Sequence, residues 1–255
     1  MFTKAIVRTP GRSIINGVTT AHLGKPDYRK ALEQHGHYIQ ALKSCGLEVI
    51  VMPSDENYPD STFVEDCAVL TEKCAIVGRL GIDSRQGEEV GVEEILRKYY
   101  SKILRIEEPG TLEGGDVLRV GDHFYIGITK RTNLEGARQL SDILNGFGYT
   151  SSTVPVTEVL HLKTGVGDLG EGCVAVAGEF AGNAAFAHLK RVFIDDEERN
   201  AANCARINEY VLMPGGYTKA KKKIENAGFP VIEIDISEFQ KIDGGISCLS
   251  LRFLK

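Results

Sequence analysis

An α/β fold built from five repeated β-β-α-β units is predicted from three observations. Short polar clusters recur along the 255 residues at a spacing of roughly 40 to 50, a period that signals stacked supersecondary units. Each of the best-marked clusters stands just before an apolar run of strand length. No Pro- or Ser-rich linker interrupts the chain, so residues 1–255 read as a single domain. The clusters are Phe63-Val64-Glu65-Asp66, Leu112-Glu113-Gly114-Gly115-Asp116, Leu160-His161-Leu162-Lys163, Ala202-Asn203-Cys204 and Gly244-Gly245-Ile246-Ser247-Cys248. If the units surround an axis, a Glu, an Asp, a His and a Cys meet in one place.

The first unit opens on a strand, Lys4-Ala5-Ile6-Val7-Arg8. Residues 27–45 carry helical periodicity, with Leu32, His35, Ile39 and Leu42 on one face and Gly46 as the stop. A strand at 48–52 follows. The second unit has two short apolar runs, 67–70 and 74–77, parted by Thr71-Glu72-Lys73 as in a hairpin. A helix at 88–100 and a strand at 103–106 complete it. The third unit repeats the order with strands at 117–120 and 124–128 around a Gly121-Asp122 turn, a helix at 133–145 and a strand at 152–156. The fourth has a strand at 173–177, a weakly marked helix at 181–189 and a strand at 191–194. The fifth has strands at 205–207 and 210–213, a helix at 218–226 and a strand at 231–234. The last run, 248–253, is a strand with no helix after it, free to pair with the N-terminal strand and complete the first unit.

Bulk properties narrow the function classes. A net charge of −5 argues against a broad nucleic-acid surface. No apolar run approaches the length of a membrane-spanning helix. The N-terminus lacks a signal-peptide core, and the six cysteines form no tight framework. Free thiols in a reducing cytoplasm are the expectation.

The repeat order resembles that of the dimethylarginine dimethylaminohydrolases. The resemblance rests on Phe63-Val64-Glu65-Asp66, Leu112-Glu113-Gly114-Gly115-Asp116, His161-Leu162-Lys163-Thr164 and Asp243-Gly244-Gly245-Ile246-Ser247-Cys248, and it covers essentially the whole chain. Lys130-Arg131-Thr132-Asn133 and Ala201-Ala202-Asn203-Cys204 match as well. Membership would imply the five-bladed α/β propeller of the guanidino-modifying enzymes, called the pentein fold. It would also imply hydrolysis of a methylated arginine to citrulline and a methylamine.

The chemistry of such a substrate explains the residue types. A guanidinium is planar, cationic and resonance-stabilised, so attack on its carbon needs a strong nucleophile, and thiolate is the best that a side chain supplies. Cys248 is the candidate, on its Gly-Gly setting and its match to the family nucleophile. Cys45, Cys74 and Cys173 sit inside helix or strand patterns and read as small buried hydrophobes. Cys67 and Cys204 each follow a polar cluster and are less clear. His161 is the candidate acid and base, because it alone among the histidines occupies a recurring position. His22, His35, His37, His123 and His188 read as surface or core residues.

Asp66 and Glu113 stand at strand entrances beside apolar residues, an unusual place for surface charge. Two carboxylates converging on a planar cation would orient it through charge-assisted hydrogen bonds, and Glu113 could also hold the His161 imidazole. By resemblance Asp66 grips the guanidinium, Glu113 completes the catalytic set, and Asp60 and Glu65 contact substrate. Resemblance further implies Arg85 and Arg131 for the substrate carboxylate, and the main chain of Val18 and Ile242, with Asp60, for its ammonium. The family commonly has leucine where this chain has Val18. Residues 15–26 read as a glycine-hinged lid or as a plain surface loop.

Gly165-Val166-Gly167-Asp168-Leu169-Gly170 fits G-x-G-x-x-G, but it precedes a strand instead of following one, so a hairpin loop is expected there. No metal motif, C-x-x-C pair or P-loop occurs, and neither cofactor nor metal is expected. The expected partner is a small methylarginine, without nucleic acid or membrane. The sequence admits a homodimer without deciding the oligomeric state. Arginine deiminase chemistry and a non-catalytic pentein binding protein stay open as alternatives. Amidinotransferase fits the chain length less well.

Overall fold

The computed structural model describes residues 1–255, and their strands form five three-stranded sheets. The first unit contains β1 (Lys4–Arg8), α1 (Tyr28–Ser44) and β2 (Glu48–Met52). The second contains β3 (Ala68–Leu70), β4 (Ala75–Val77), α2 (Glu88–Leu96) and β5 (Ile103–Arg105). The third contains β6 (Val117–Val120), β7 (His123–Ile128), α3 (Leu134–Gly146) and β8 (Thr150–Pro155). The fourth contains the one-turn α4 (Leu162–Gly165), β9 (Val166–Gly170), β10 (Cys173–Val176) and β11 (Lys190–Phe193). The fifth contains β12 (Ala205–Ile207), β13 (Tyr210–Pro214), α5 (Thr218–Asn226) and β14 (Val231–Ile234). A further turn, α6 (Ser237–Gln240), leads to β15 (Leu251–Phe253).

Every sheet has the same pairing. Its middle strand runs antiparallel to one neighbour and parallel to the other, as in β3-β4-β5 and β6-β7-β8. A parallel partner needs a long crossover, and the helical segment of each unit supplies it. β15 pairs antiparallel with β1, so the chain's last strand completes its first sheet. The fifth unit in turn packs on the first. Leu212 and Ile234 share an apolar cluster with Ala5, Val7, Tyr38 and Leu42.

Local chemistry sets the helix ends. Asp27 accepts the Lys30 N–H at 3.0 Å and Asn133 accepts the Gly136 N–H at 2.8 Å, each as an N-cap. α1 buries Ala31, Gln34, His35, Tyr38 and Leu42, a stripe turned slightly from the expected one, with Leu32 and Ile39 at its margin. Tyr38 matters most for the site. Its hydroxyl donates to the Ile246 carbonyl at 3.1 Å and meets Ser250 Oγ at 2.7 Å, tying α1 to the Cys248 turn.

Three expectations are corrected. The fourth unit has no α-helix at 181–189. Two 3-10 turns, Gly178–Phe180 and Ala184–Phe186, stand there, because Gly182-Asn183 interrupts the run and Asn183 caps a new turn through the Ala185 N–H. All of the G-x-G-x-x-G segment after Gly165 is the strand β9, paired with β10, not a loop. Its Gly167 is needed for close approach, since a Cβ there would lie 2.5 Å from the Ala202 carbonyl oxygen and 2.6 Å from Cys204 Sγ. Cys248 does not lie in a strand. It sits in the 3-10 turn Ser247–Leu249 that precedes β15.

Candidate active site

The strand-entry turns carry the polar clusters, and the fold brings four of them together. Val64–Cys67 and Gly114–Asp116 are 3-10 turns that lead into β3 and β6. His161 caps α4, and Ser247–Leu249 precedes β15. A narrow pocket of about 20 Å³ is lined by Val18, Asp60, Phe63, Asp66, Arg85, Arg131, Leu160, His161, Ile242, Asp243, Gly244 and Cys248. It is a shallow cleft open on one side to solvent.

His161 Nε2 lies 2.7 Å from Glu113 Oε2, and both side chains are buried. Glu113 Oε1 accepts the Gly81 N–H at 3.0 Å and Arg131 Nη1 at 3.3 Å. Burial alone would raise the Glu113 carboxyl, but the His161 contact and the Arg85 and Arg131 charges hold it well below the usual carboxylate range. Burial alone would lower the imidazole. Asp66, Asp116 and Glu113 outweigh that and raise His161 to about 9. Without substrate at neutral pH the ring is therefore a cation that donates to Glu113.

Asp66 divides its carboxylate. Oδ1 accepts the Gly115 N–H at 2.9 Å and Oδ2 accepts Arg85 Nη1 at 2.8 Å. The Gly114-Gly115 pair makes this closure feasible. A Cβ on Gly115 would sit 2.8 Å from both Asp66 Oδ1 and His161 Nδ1, and one on Gly114 would sit 1.9 Å from the Glu65 carbonyl oxygen. Asp116, at the end of the same cluster, accepts the Leu162 N–H at 3.0 Å and Thr129 Oγ1 at 2.8 Å, and so fixes the backbone after His161.

Cys248 Sγ accepts the Gly245 N–H at 3.4 Å and faces Asn203 Nδ2 at 3.9 Å. Asn203 Oδ1 also accepts the Ser247 N–H at 2.9 Å, so one amide braces the whole turn. The glycines before Cys248 are present for space, not for an unusual turn, since neither has positive φ. A Cβ on Gly244 would meet the Phe63 ring at 2.3 Å and one on Gly245 the Asn203 amide at 2.2 Å. Burial, then the charges of Glu65 and Asp66, push the Cys248 thiol up to about 12. An isolated thiol this protonated is not yet a nucleophile, and a bound cation is what would lower it.

Val18, Asp60 and Ile242 also reach the pocket. Asp60 accepts the Val18 N–H with both oxygens, at 3.1 and 3.2 Å, and Asp243 Oδ2 accepts the Thr20 N–H at 2.6 Å. These two carboxylates hold the covering segment down. Glu65 lies elsewhere. Its carboxylate accepts Ser247 Oγ, Lys163 Nζ and Arg252 Nη2, each at 2.7 Å. It lines a separate cavity of about 340 Å³ bordered by β3, β6, β9, β12 and β15. Neighbouring residues face opposite ways here. Asp66 and Cys248 face the pocket, while Glu65 and Ser247 face the cavity. The Glu65 side chain thus forms part of the wall, where three donors hold its carboxylate.

Asp66, Glu113 and His161 present ligand atoms within 4.8 Å of one another, a spacing that a metal ion could use. Arg85 and Arg131 already neutralise these carboxylates, and a divalent ion would have to displace them. Sequence reasoning did not assign roles to Asn203, Asp116, Lys163 or Arg252. Asn203 and Asp116 lie inside the recurring clusters, which is the signal that could have found them. Lys163 lies in such a cluster too, whereas Arg252, which ties Glu65 to the Ser247 and Ser250 carbonyls, left no such signal.

Comparison with known proteins matches residues 23–176 to the family described as N,N dimethylarginine dimethylhydrolase, eukaryotic. The chain is 51% identical over 254 residues to the N(G),N(G)-dimethylarginine dimethylaminohydrolase of Pseudomonas aeruginosa, covering 99% of this chain and 100% of that one. A structure of a mutant of the Pseudomonas aeruginosa enzyme complexed with citrulline superposes with a TM-score of 0.98 at 50% identity, over 99% of this chain and all of that one. The N-terminal domain of ArgZ, an arginine dihydrolase, matches at a TM-score of 0.90 and 20% identity, covering 100% of this chain and 98% of that one, which bears on the fold alone. This chain belongs to the dimethylarginine dimethylaminohydrolase family.

Proposed function

We propose that this chain hydrolyses Nω-methylated arginines to L-citrulline and di- or monomethylamine through a covalent intermediate on Cys248. The observation that carries this reading is the buried His161–Glu113 pair at 2.7 Å, with Asp66 beside it and Cys248 in the same pocket. The Pseudomonas enzyme's complex with citrulline supports the product class.

Asp66 and Glu113 receive the substrate guanidinium, whose charge favours the Cys248 thiolate. The thiolate forms a bond to the guanidinium carbon. The C–N bond to the methylated nitrogen breaks as protonated His161 donates to the departing amine. His161, now neutral, takes a proton from water, whose oxygen adds to the thiouronium carbon. The C–S bond then breaks as the new hydroxyl gives its proton to the sulfur, leaving citrulline and the Cys248 thiol. Arg131 and Arg85 anchor the substrate carboxylate. Asp60 and the Val18 and Ile242 carbonyls accept from its ammonium. Residues 15–26, which reach the pocket at Val18 and are tied to Asp60 and Asp243, act as the lid.

Five sheets with one pairing pattern, each against the next, are read as the blades of a five-bladed α/β propeller of pseudo-fivefold symmetry in one domain. Six buried free cysteines suit a reducing cytoplasm. The test is to incubate the protein with asymmetric dimethylarginine, arginine and agmatine and to identify each released amine. Dimethylamine in equal amount with citrulline is expected. Ammonia from arginine as the main product would replace the reading with a deiminase, and no release from any of the three would make the protein a binding module.

A further inference from the structure

We propose that Glu88 is a positioning residue for substrate capture, because its carboxylate locks Arg85 in the orientation that serves the pocket. This rests on the proposed role of Arg85 as an anchor for the substrate carboxylate.

Glu88 is the first residue of α2, where a glutamate normally faces solvent near the helix N-terminus. This one is buried, turned inward, with no exposed side-chain surface. Capping does not explain it. Gly87 is the N-cap, and its N–H is taken by the neighbouring Glu89 at 2.9 Å. What Glu88 holds instead is Arg85. Nε donates to Oε1 and Oε2 at 3.1 and 3.2 Å, and Nη2 donates to Oε2 at 2.8 Å. This is the two-point fork that fixes a guanidinium plane as well as its place.

The consequence follows from counting donors. An arginine has five N–H groups. Glu88 takes Nε and one from Nη2, and the Phe63 carbonyl faces Nη2 at 3.5 Å. Nη1 donates to Asp66 at 2.8 Å and comes no nearer to Glu113 than 3.7 Å. One Nη1 hydrogen is left without a close partner, on the end of the guanidinium that lines the pocket. Arg131 lacks such a clamp, since only its Nη1 is engaged, by Glu113. Glu88 thus holds the Arg85 guanidinium still with its Nη1 end turned to the pocket, while Arg131 keeps freedom to swing onto a carboxylate. The segment is fitted closely around this arrangement. Gly87 has φ 105°, and a Cβ there would lie 2.2 Å from Tyr58 Oη.

The test compares Glu88→Gln with the parent on two substrates, asymmetric dimethylarginine and its carboxamide, which lacks the anchored charge. The glutamine keeps the size but presents an amide where Arg85 needs a second acceptor. The expected result is a KM for dimethylarginine raised by about tenfold or more, with kcat within about threefold and kcat/KM for the carboxamide nearly unchanged. Glu88→Asp, which keeps the charge, should recover part of the loss, and it carries the same comparison if the glutamine variant does not fold. Equal losses on both substrates, or a loss confined to kcat, overturn the proposal. A parent protein that releases no dimethylamine overturns the hydrolase reading itself, an outcome distinct from a flat substrate ratio in an active parent.

Discussion

Cys204 and Cys248 occupy equivalent points of successive units, each directly after a polar cluster, and only their surroundings separate them. Both are buried and free, and burial is the leading reason that each thiol is pushed up to about 12. Cys204 packs against Gly167, lines the large cavity and is raised by the Asp168 charge as well as by burial. Cys248 lines the pocket with His161, Asp66 and Arg85, and its sulfur accepts the Gly245 N–H. Burial and position in the repeat are therefore shared. What only Cys248 has is a histidine in the same pocket that can pass a proton on.

The sharpest way to break this comparison is Cys248→Ser. Turnover should fall by several orders of magnitude with folding intact, since a serine oxygen is a weak nucleophile towards an amidinium carbon. Mass spectrometry of the parent protein should find any trapped adduct on Cys248. Surviving turnover, or an adduct on Cys204 or Cys67, would erase the distinction.

His161→Gly should cost nearly as much turnover while calorimetry still shows substrate binding and Cys248 remains alkylatable. The same variant sharpens the electrostatic side. A histidine raised to about 9 in the fold contributes stability that is fully present below its unfolded value near 6.5 and is lost as pH rises through 9. Glu88 near 7 and Asp168 near 6 lose their protons below most of that range. His161 should thus account for a drop of about 2 kcal/mol between pH 7 and 9. The buried thiols of Cys204 and Cys248 add a further loss in both proteins as the unfolded cysteines ionise, so denaturant melts of His161→Gly should show a drop smaller by His161's share. An equal slope in both proteins would remove the charge on His161 from the account.

Arg131→Ala and Arg85→Ala should act on capture. Loss of one charge-assisted contact is worth roughly 1.5–3 kcal/mol, which corresponds to about 10- to 150-fold in kcat/KM. Agmatine lacks the carboxylate, so its kcat/KM should change little. Equal losses on agmatine and dimethylarginine would show that the arginines serve the fold alone.

The smallest effect on turnover is expected from Cys204→Ser. Activity should stay near that of the parent, while a hydroxyl buried without a partner costs about 1–3 kcal/mol of stability in a thermal or urea melt. A large loss of kcat would mean that the two cysteines are not distinct in function.

The order of elements and the repeat were legible before any coordinates. Apolar runs of strand length and helical periodicity are local signals, and outside the fourth unit each became the expected element. The fourth unit was the weak point. Gly182-Asn183 carried a breaker signal that an alanine-rich stretch obscured, and Val166–Gly170 became a strand although its glycines suggested a loop. Strand pairing with β10 and close contact with Cys204 decided that segment, and neither is written in its own residues.

By itself, the sequence determined that five units follow one another and that Asp66, Glu113, His161 and Cys248 stand at their entrances, because periodicity and cluster position are properties of the chain. Tertiary structure alone decided which way each entrance residue faces. Adjacent residues of one turn point to opposite sides, so Asp66 and Cys248 enter the pocket while Glu65 and Ser247 form the wall of the cavity. It also decided the charge states. Whether a carboxyl, imidazole or thiol keeps its proton depends on burial and on charges brought near from other units, as Glu113 and Asp66 do for His161. Those distances exist only once the units are packed against one another.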